Sequence, residues 1–432
     1  MSANRSPSGA WDLLRRNAAF RALWLSRITS FIGDALGTIA LVLYVVGAEG
    51  SGVTVALLFL AVDFAPSLLS PLSGALSDRV DRKRLMVGCD LAQGAIITSI
   101  ALVDMPIVPL LALVAVRSTL GSLFQPASRS SVPDLVRERD LETANAVIGF
   151  GTHGFDLIGP LLGAALLPLI GVRGMLFVDA ATFLVSALLL LGLPKLAPVD
   201  LDGDRVPFLR EAGDGLRFLW QLPSLRILTI GFCAVVALNG VDDIALVFLA
   251  QDVLEGTDSQ TSLLYGGAGV GLLIGFLLLA RFATRFPAVA MIGAGFLISS
   301  LGNAITGLSV TIWMAFAMQA VRGLGISLIE VSVQTFVQRT VPKGMQGRAF
   351  ANLFGAVGLS AGLSYAVGGP LIDLAGPRFA LAAGGFAGAV VAVAVARTFS
   401  RVIRPTTEAG PGQAADATER PGGADWNPDE AG

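Results

Sequence analysis

The fold is decided by a short basic stretch, Gly74-Ala75-Leu76-Ser77-Asp78-Arg79-Val80-Asp81-Arg82-Lys83-Arg84. A long apolar segment runs into this stretch from about residue 52, and a second apolar segment leaves it at Leu85. Short loops rich in Lys and Arg stay on the cytoplasmic side of a membrane. The stretch is therefore predicted to be a tight basic turn between two membrane helices.

The composition of the whole chain agrees with a membrane protein. Of 432 residues, 54% are hydrophobic and only 14% are charged, and the mean hydropathy is +0.72. Apolar runs recur at a length of about 20 residues, which a helix needs to cross the hydrocarbon core. A membrane β-barrel would instead show alternating segments of about ten residues. The sequence predicts an all-α polytopic membrane protein.

Hydropathy and helix-breaking residues divide the chain into apolar spans. The predicted spans cover residues 19–47, 52–76, 85–104, 106–131, 142–168, 172–194, 224–251, 261–285, 287–308, 310–338, 345–372 and 378–399. Almost every Lys and Arg falls on one side of this topology, with Arg173 and Arg378 as the main exceptions. Because the number of spans is even, both termini lie on the same side of the membrane. The Lys and Arg residues are concentrated on that side, so both termini are predicted to be cytoplasmic.

The spans form two groups of six. The predicted domains are a cytoplasmic N-terminal segment (1–18), a first bundle (19–194), an inter-bundle loop (195–223), a second bundle (224–400) and a disordered tail (401–432). Three landmarks recur at an offset of 205 residues: Ile39-Ala40-Leu41-Val42 as Ile244-Ala245-Leu246-Val247, Val116-Arg117 as Val321-Arg322, and Gly171-x-Arg173 as Gly376-x-Arg378. An offset that contains six helices gives the two halves parallel topology.

The basic stretch resembles the loop between helices 2 and 3 of the major facilitator superfamily, roughly G-x-L-x-D-R-x-G-R-[KR]-[KR]. Asp81 stands where many members have glycine, as in the branch of enterobactin-exporter-like and macrolide-efflux-like carriers. The resemblance covers about residues 18–400 and implies 12 transmembrane helices in two six-helix bundles. It also implies an inner gate formed by Gly74, Asp78, Arg79, Arg82, Lys83 and Arg84, with Asp90 as a salt-bridge partner within reach of the basic loop.

Ionisable residues inside the spans are the candidates for transport chemistry. They cost about 2.5–3.5 kcal/mol at mid-membrane on insertion scales, so they usually face a cavity or a partner. The candidates are Asp34, Asp63, Arg117, His153, Asp156, Arg322 and Glu330. In the first bundle three carboxylates at similar depth share one base, which favours proton uptake. For each candidate the alternative is a buried structural residue, and Asp179 is interpreted as structural.

Small residues indicate where helices slide. Gly151, Gly159, Pro160 and Gly163 in the fifth span resemble the antiporter motif of the superfamily, G-x-x-x-G-P-x-x-G-G, although Phe155 and Ala164 replace two of its glycines. Gly267, Gly271 and Gly275 lie on one face of the eighth span and are predicted to pack against the fifth, where the halves rock. The resemblance favours export over uptake.

Several chemistries are excluded at the level of sequence. None of the three lysines, Lys83, Lys195 and Lys343, follows a glycine, so the ATP-binding motif G-x-x-x-x-G-K-[ST] is absent. One histidine and two separated cysteines do not make a typical soft-metal site. No enzymatic arrangement stands out.

The sequence therefore predicts a proton-coupled exporter of a small amphipathic compound. It is expected to act as a monomer in the lipid bilayer of the cell membrane, with the proton gradient as its energy source, no cofactor and no nucleic-acid partner. The alternatives are an uptake carrier of the same fold and a membrane sensor or subunit that transports nothing.

Overall fold

The computed structural model describes residues 10–66, 80–196, 217, 220–282, 285–342 and 345–403. Every regular element in these ranges is helical, and no described residue forms a strand. The helices are α1 (Ala10–Arg16), α2 (Ala18–Glu49), α3 (Gly52–Phe59), α4 (Arg82–Leu102), α5 (Ile107–Leu135), α6 (Leu141–Leu191), α7 (Pro223–Asn239), α8 (Asp242–Phe248), α9 (Asp258–Phe282), α10 (Ala288–Gly307), α11 (Ile312–Thr340) and α12 (Gln346–Ile403). Short π-helical turns, Leu60–Phe64 and Leu249–Val253, follow α3 and α8.

The described helices confirm an all-α polytopic membrane protein. Nine helical segments in the described ranges are long and apolar enough to cross a membrane, and Gly52–Phe64 is a shorter apolar segment. The second predicted span continues into residues 67–79, which lie outside the described ranges. The total of twelve spans therefore stays a prediction.

Two glycines divide the longest helices. α6 has 51 residues and α12 has 58, and each covers two predicted spans. Their helical geometry is interrupted at Gly171, with φ 66°, and at Gly376, with φ 82°. These glycines are 205 residues apart, as the repeat predicts. A residue with a side chain is strained at such positive φ values.

The segments outside the two bundles are described only in part. α1 lies in the predicted N-terminal segment, residues 1–18, and buries Leu13 and Leu14. Asn17 then caps α2, and its Nδ2 donates a hydrogen bond of 2.6 Å to the carbonyl of Leu135. Most of the predicted inter-bundle loop and tail lies outside the described residues, although α12 reaches Ile403, beyond its predicted end.

Buried apolar side chains show where the two halves meet. Near the chain termini, one cluster contains only first-half residues such as Phe20 and Leu190, and another contains only second-half residues such as Leu228 and Phe399. At the opposite end of the helices a single cluster takes residues from both halves. The described halves are therefore packed together at the end away from the termini.

An acidic side chain joins the two halves at this packed end, which is called the closed end below. The Asp373 carboxylate, on α12, accepts hydrogen bonds from the backbone N–H groups of Gly52 (2.6 Å) and Val53 (3.2 Å) and from the Ser51 hydroxyl (3.1 Å). These donors are at the N-terminus of α3, where unpaired N–H groups and the helix dipole favour an anion. A carboxylate of one half thus caps a helix of the other half.

We expect Gly171→Ala to destabilise the protein by about 1–3 kcal/mol, the usual cost of a strained backbone conformation. An added Cβ at this glycine meets no atom within 4 Å, so the loss would come from φ alone. Thermal unfolding in detergent measures it. Gly355→Ala is the matched control, because that helical glycine also has open space around it. Equal melting temperatures for the two variants would contradict the assignment.

Candidate functional site

The centre of the first half holds an arginine between two carboxylates. Nη2 of Arg117, on α5, lies 2.5 Å from Oδ1 of Asp34 on α2 and 3.1 Å from Oδ2 of Asp179 on α6. The side chain of Asp179 is fully buried, whereas that of Asp34 is 39% exposed. The structure thus brings together the predicted pair Asp34 and Arg117 and adds a carboxylate that sequence reasoning placed outside the site.

Two glycines on α2 make room for Asp179. A Cβ added at Gly37 would lie 2.0 Å from Oδ2 of Asp179, and one at Gly33 would lie 1.9 Å from Oγ1 of Thr182. The backbones of α2 and α6 can therefore approach closely enough for the carboxylate to reach Arg117. The spacing Gly33-x-x-x-Gly37 was the sequence signal for this contact, because it gives α2 a small-residue face.

In the second half an arginine occupies the repeated position, but the acid that pairs with it comes from a different helix. Nη2 of Arg322 lies 2.6 Å from Oδ2 of Asp242 on α8, an acid that was not among the predicted site residues. The predicted role of Glu330 stays a prediction. Asp242 occupies the position that repeats Gly37, and the position that repeats Asp179 is Gly384. The acid has therefore changed from the last helix of one bundle to the first helix of the other.

Asn239 takes the position that repeats Asp34. It is buried, and its Nδ2 donates to the Ser300 hydroxyl (3.1 Å) while Nδ2 of Asn303 donates to its carbonyl (3.1 Å). These partners are neutral. The described contacts of Arg322 thus include one ion pair, whereas those of Arg117 include two.

A third polar group lies between the halves. The Tyr365 hydroxyl, on α12, is 3.1 Å from Oδ2 of Asp63 and 2.9 Å from Oδ2 of Asp243. A cavity of about 300 Å³ adjoins it. Its walls come from both halves: Ala35, Thr38, Ile39, Val42, Phe59, Pro160, Asp243 and Tyr265.

The other titratable candidates are less informative. His153 and Asp156 belong to α6, but their side chains lie outside the described part of the chain. Asp90 is buried and accepts a hydrogen bond of 2.6 Å from the Ser186 hydroxyl. Its described partner is therefore a hydroxyl of α6, and a salt bridge to the basic loop stays a prediction.

The described residues of the basic loop bind within the first half. Arg82 is buried, forms an ion pair with Asp134 and donates to the carbonyl of Ser130 at 2.6 Å. Lys83 donates to the carbonyls of Leu191 and Leu193, at the end of α6. These contacts tie the start of α4 to the ends of α5 and α6.

A capping contact gives a structural reason for Asp81 at the position where the motif has glycine. Its carboxylate caps α4 by accepting a hydrogen bond of 3.0 Å from the backbone N–H of Arg84, whose side chain is exposed. Gly74, Asp78 and Arg79 lie outside the described residues, so their predicted gate role stays a prediction.

The predicted packing of the glycine ladder on the fifth span is wrong. Gly267, Gly271 and Gly275 share one face of α9, but that face packs on α11: a Cβ at Gly271 would lie 1.7 Å from the carbonyl oxygen of Ala320. The periodicity placed the glycines on one face without specifying the neighbour. Successive residues of a helix are rotated by about 100° about its axis, so residues next to the ladder lie on another face. It is this other face of α9 that contacts α6.

That other face carries Ser262 and Gly266. The Ser262 hydroxyl donates a hydrogen bond of 2.7 Å to the carbonyl of Pro160, and Gly163 and Gly266 allow the close approach. Gly159 packs on Ala35 of α2 instead. Gly151 lies in α6, in a stretch whose contacts are not among those described. The seam of α6 and α9 thus uses Pro160 and Gly163 but not Gly159.

Comparisons with known proteins place the chain among membrane transporters. The sequence profile of the transmembrane secretion effector family matches residues 8–409. The MFS-type transporter YfiS of Bacillus subtilis is 26% identical over 85% of this chain and 90% of its own length. Macrolide efflux protein A of Streptococcus pyogenes is 23% identical over 77% and 84%, and the Na(+), Li(+), K(+)/H(+) antiporter of Planococcus maritimus is 25% identical over 79% and 84%.

A solved structure shows the same fold. The nucleoside transporter NupG superposes with a TM-score of 0.71 at 14% identity, over 88% of this chain and 99% of that one. At this identity the likeness concerns the fold alone.

We expect Gly37→Ala to push Asp179 away from Arg117. Breaking a buried ion pair costs about 3–5 kcal/mol, and thermal or denaturant unfolding in detergent measures the loss. Gly47→Ala, in the same helix, is the control because a Cβ there meets no atom within 4 Å. Gly37→Ala should add little once Asp179→Ala has removed the carboxylate. A full effect of Gly37→Ala in that background would contradict the assignment.

Proposed function

Because the chain belongs to the transmembrane secretion effector family of the major facilitator superfamily, we propose that it exports a small amphipathic compound in exchange for protons. The cargo class is a drug, a siderophore or a secondary metabolite, and similarity to macrolide efflux protein A supports it. Similarity to the cation/H(+) antiporter supports exchange against protons. The proton gradient is the energy source, and no cofactor is required.

The observation that carries this proposal is the unequal charge around Arg117. One guanidinium faces two carboxylates, so the cluster has a surplus negative charge unless one carboxyl holds a proton. Asp179 is fully buried and stays paired with the arginine. Asp34 is partly exposed, on the face of α2 that one turn later presents Thr38 to the cavity, so it is the carboxyl that protons reach.

This arrangement lets Asp34 change charge at low cost. When Asp34 takes up a proton, Arg117 keeps a carboxylate partner in Asp179, so no buried charge is left alone. When Asp34 loses the proton, its attraction to Arg117 returns. Proton binding at Asp34 therefore alters the charge next to the cavity without dismantling the ion pair beneath it.

Alternating access follows from the packing of the halves. In the proposed orientation both termini are cytoplasmic, so the closed end, which lies away from the termini, faces outward. The chain works as a monomer. The Asp373 contacts would have to break for cargo to leave. In this proposal, Asp34 is not protonated while cargo is bound in the adjoining cavity. The proton and the cargo therefore cross the membrane in opposite directions.

We expect Asp34→Asn to abolish substrate-dependent proton movement while leaving the protein folded, because the amide keeps the shape but cannot titrate. The measurement uses inside-out vesicles from an efflux-deficient host, a pH-sensitive dye and a panel of amphipathic compounds. Export coupled to protons appears as proton release from the vesicle lumen when a transported compound is added. Retained coupling in Asp34→Asn would overturn the assignment of this residue.

Asp104→Asn is the matched control. Asp104 lies in the loop between α4 and α5, exposed, and the hydrogen bond from Arg173 lowers its pKa. It therefore stays ionised near neutral pH, and exposed ion pairs contribute only about 0–1 kcal/mol. Coupling in this variant should match the wild type. Proton movement in the opposite direction would indicate uptake, and silence from a folded protein across the panel would contradict the proposed cargo class.

A further inference from the structure

Tyr365 connects the two halves through a pair of acids. Asp63 lies in the π-helical turn of the first half, and Asp243 lies at the start of α8 in the second. The hydroxyl oxygen is 3.1 Å from one carboxylate and 2.9 Å from the other, both within hydrogen-bond distance. Tyr365 itself is only 4% exposed, and its ring packs on Phe59 with centroids 5.4 Å apart.

This bridge lacks a hydrogen. A tyrosine hydroxyl has one hydrogen to donate, and an ionised carboxylate has none. If both acids were ionised, one of the two contacts would place oxygens together with no hydrogen between them. The hydroxyl of Tyr265 does not supply one, because it donates to the backbone carbonyl of Asp243 at 2.5 Å. Both contacts become hydrogen bonds when one carboxyl carries a proton.

The charges around the bridge also favour a bound proton. Arg322 is the cation that acts on Asp243, but it lies 2.6 Å from Asp242, whose side chain is almost fully buried. This base therefore faces two neighbouring acids, Asp242 and Asp243. Asp63 is exposed whereas Tyr365 is buried, so Asp63 is the more accessible of these two residues.

We propose that Asp63, Tyr365 and Asp243 form a proton-binding latch that holds the two halves together at their closed end. With the proton present, two hydrogen bonds cross the interface. When the proton leaves through Asp63, the two carboxylates repel each other and one hydrogen bond is lost, so the halves separate there. This latch rests on the proposed function, for which it supplies the link between proton release and opening.

The sign of the pH dependence follows directly. The closed state binds one more proton than the open state, so raising the pH lowers the closed population, by about tenfold in the closed-to-open ratio per pH unit within the titration range. The Asp373 contacts are different, because a hydroxyl and two backbone N–H groups already provide their hydrogens. They close the same end without needing a proton.

Distances across the closed end test the latch. Spin labels at Ala48→Cys and Val310→Cys, both exposed and one in each half, would be placed in the full chain in lipid nanodiscs. Cys89 and Cys233 are first replaced by alanine. Double electron–electron resonance spectroscopy then measures the distance between the two labels and so the fraction of closed molecules. The pH is varied from about 5 to about 9, because carboxyls that share a proton or are buried titrate above their usual range.

In the parent protein the closed fraction should fall as the pH rises. Asp243→Asn should stay closed at every pH, because its amide donates the missing hydrogen permanently. Tyr365→Phe should reduce the closed fraction at low pH, because the bridge is gone. Asp373→Asn is the control and should keep the pH dependence, although its closed fraction is smaller throughout.

A closed fraction that does not change with pH would overturn the latch, as would an Asp243→Asn variant that titrates like the parent protein. The distances require no substrate, so they are independent of the transport assay. A pH-dependent latch in a protein without substrate-linked proton movement would contradict the proposed function alone. Substrate-linked proton movement with an Asp243→Asn variant that still titrates would contradict the latch alone.

Discussion

The buried guanidinium of Arg117 is the group on which the rest of the first half depends. A permanent positive charge inside a membrane-spanning helix is costly, and a carboxylate beside it is a common way to stabilise it. That carboxylate, Asp179, comes from α6, and it reaches the arginine because α2 has glycine at position 37. Charge neutralisation therefore dictates how closely three helices pack.

The second half meets the same requirement with a different arrangement. Arg322 repeats Arg117, but its acid, Asp242, stands at the position of the glycine, and a glycine, Gly384, stands at the position of the acid. The charge requirement has thus been kept while the helix that supplies the acid has changed. The first half retains one more carboxylate at its arginine, Asp34, and this extra acid is the one that we propose carries the proton.

Much of the fold was predictable from the sequence because the bilayer leaves few choices. Apolar runs of helical length and the breaks between them predicted the helices. Gly171 and Gly376 were landmarks of the repeat between predicted spans, and the structure shows that both interrupt a helix. Similar depth predicted that a carboxylate would act on Arg117, but it left Asp34, Asp63 and Asp156 as alternatives. Each of these inferences needs only the position of a residue along its own helix.

The errors concern which neighbour a helix face meets. The ladder of Gly267, Gly271 and Gly275 packs on α11. The buried ion pair of Asp179 agrees with the structural role interpreted from the sequence, but its place beside Arg117 was not predicted. Contacts between helices depend on rotation about each axis and on tertiary packing, which periodicity does not determine. The bridge at Tyr365 joins three segments distant in sequence and gave no local signal.

The central claim is that Asp34 is the carboxyl that gains and loses a proton beside Arg117. Infrared difference spectroscopy of the full chain in lipid, recorded while the pH is raised, tests it most directly because protonated carboxyls have a separate carbonyl band. We predict that, of the bands that disappear with rising pH in the wild type, one is missing from Asp34→Asn. An unchanged set of carboxyl bands in Asp34→Asn would contradict it.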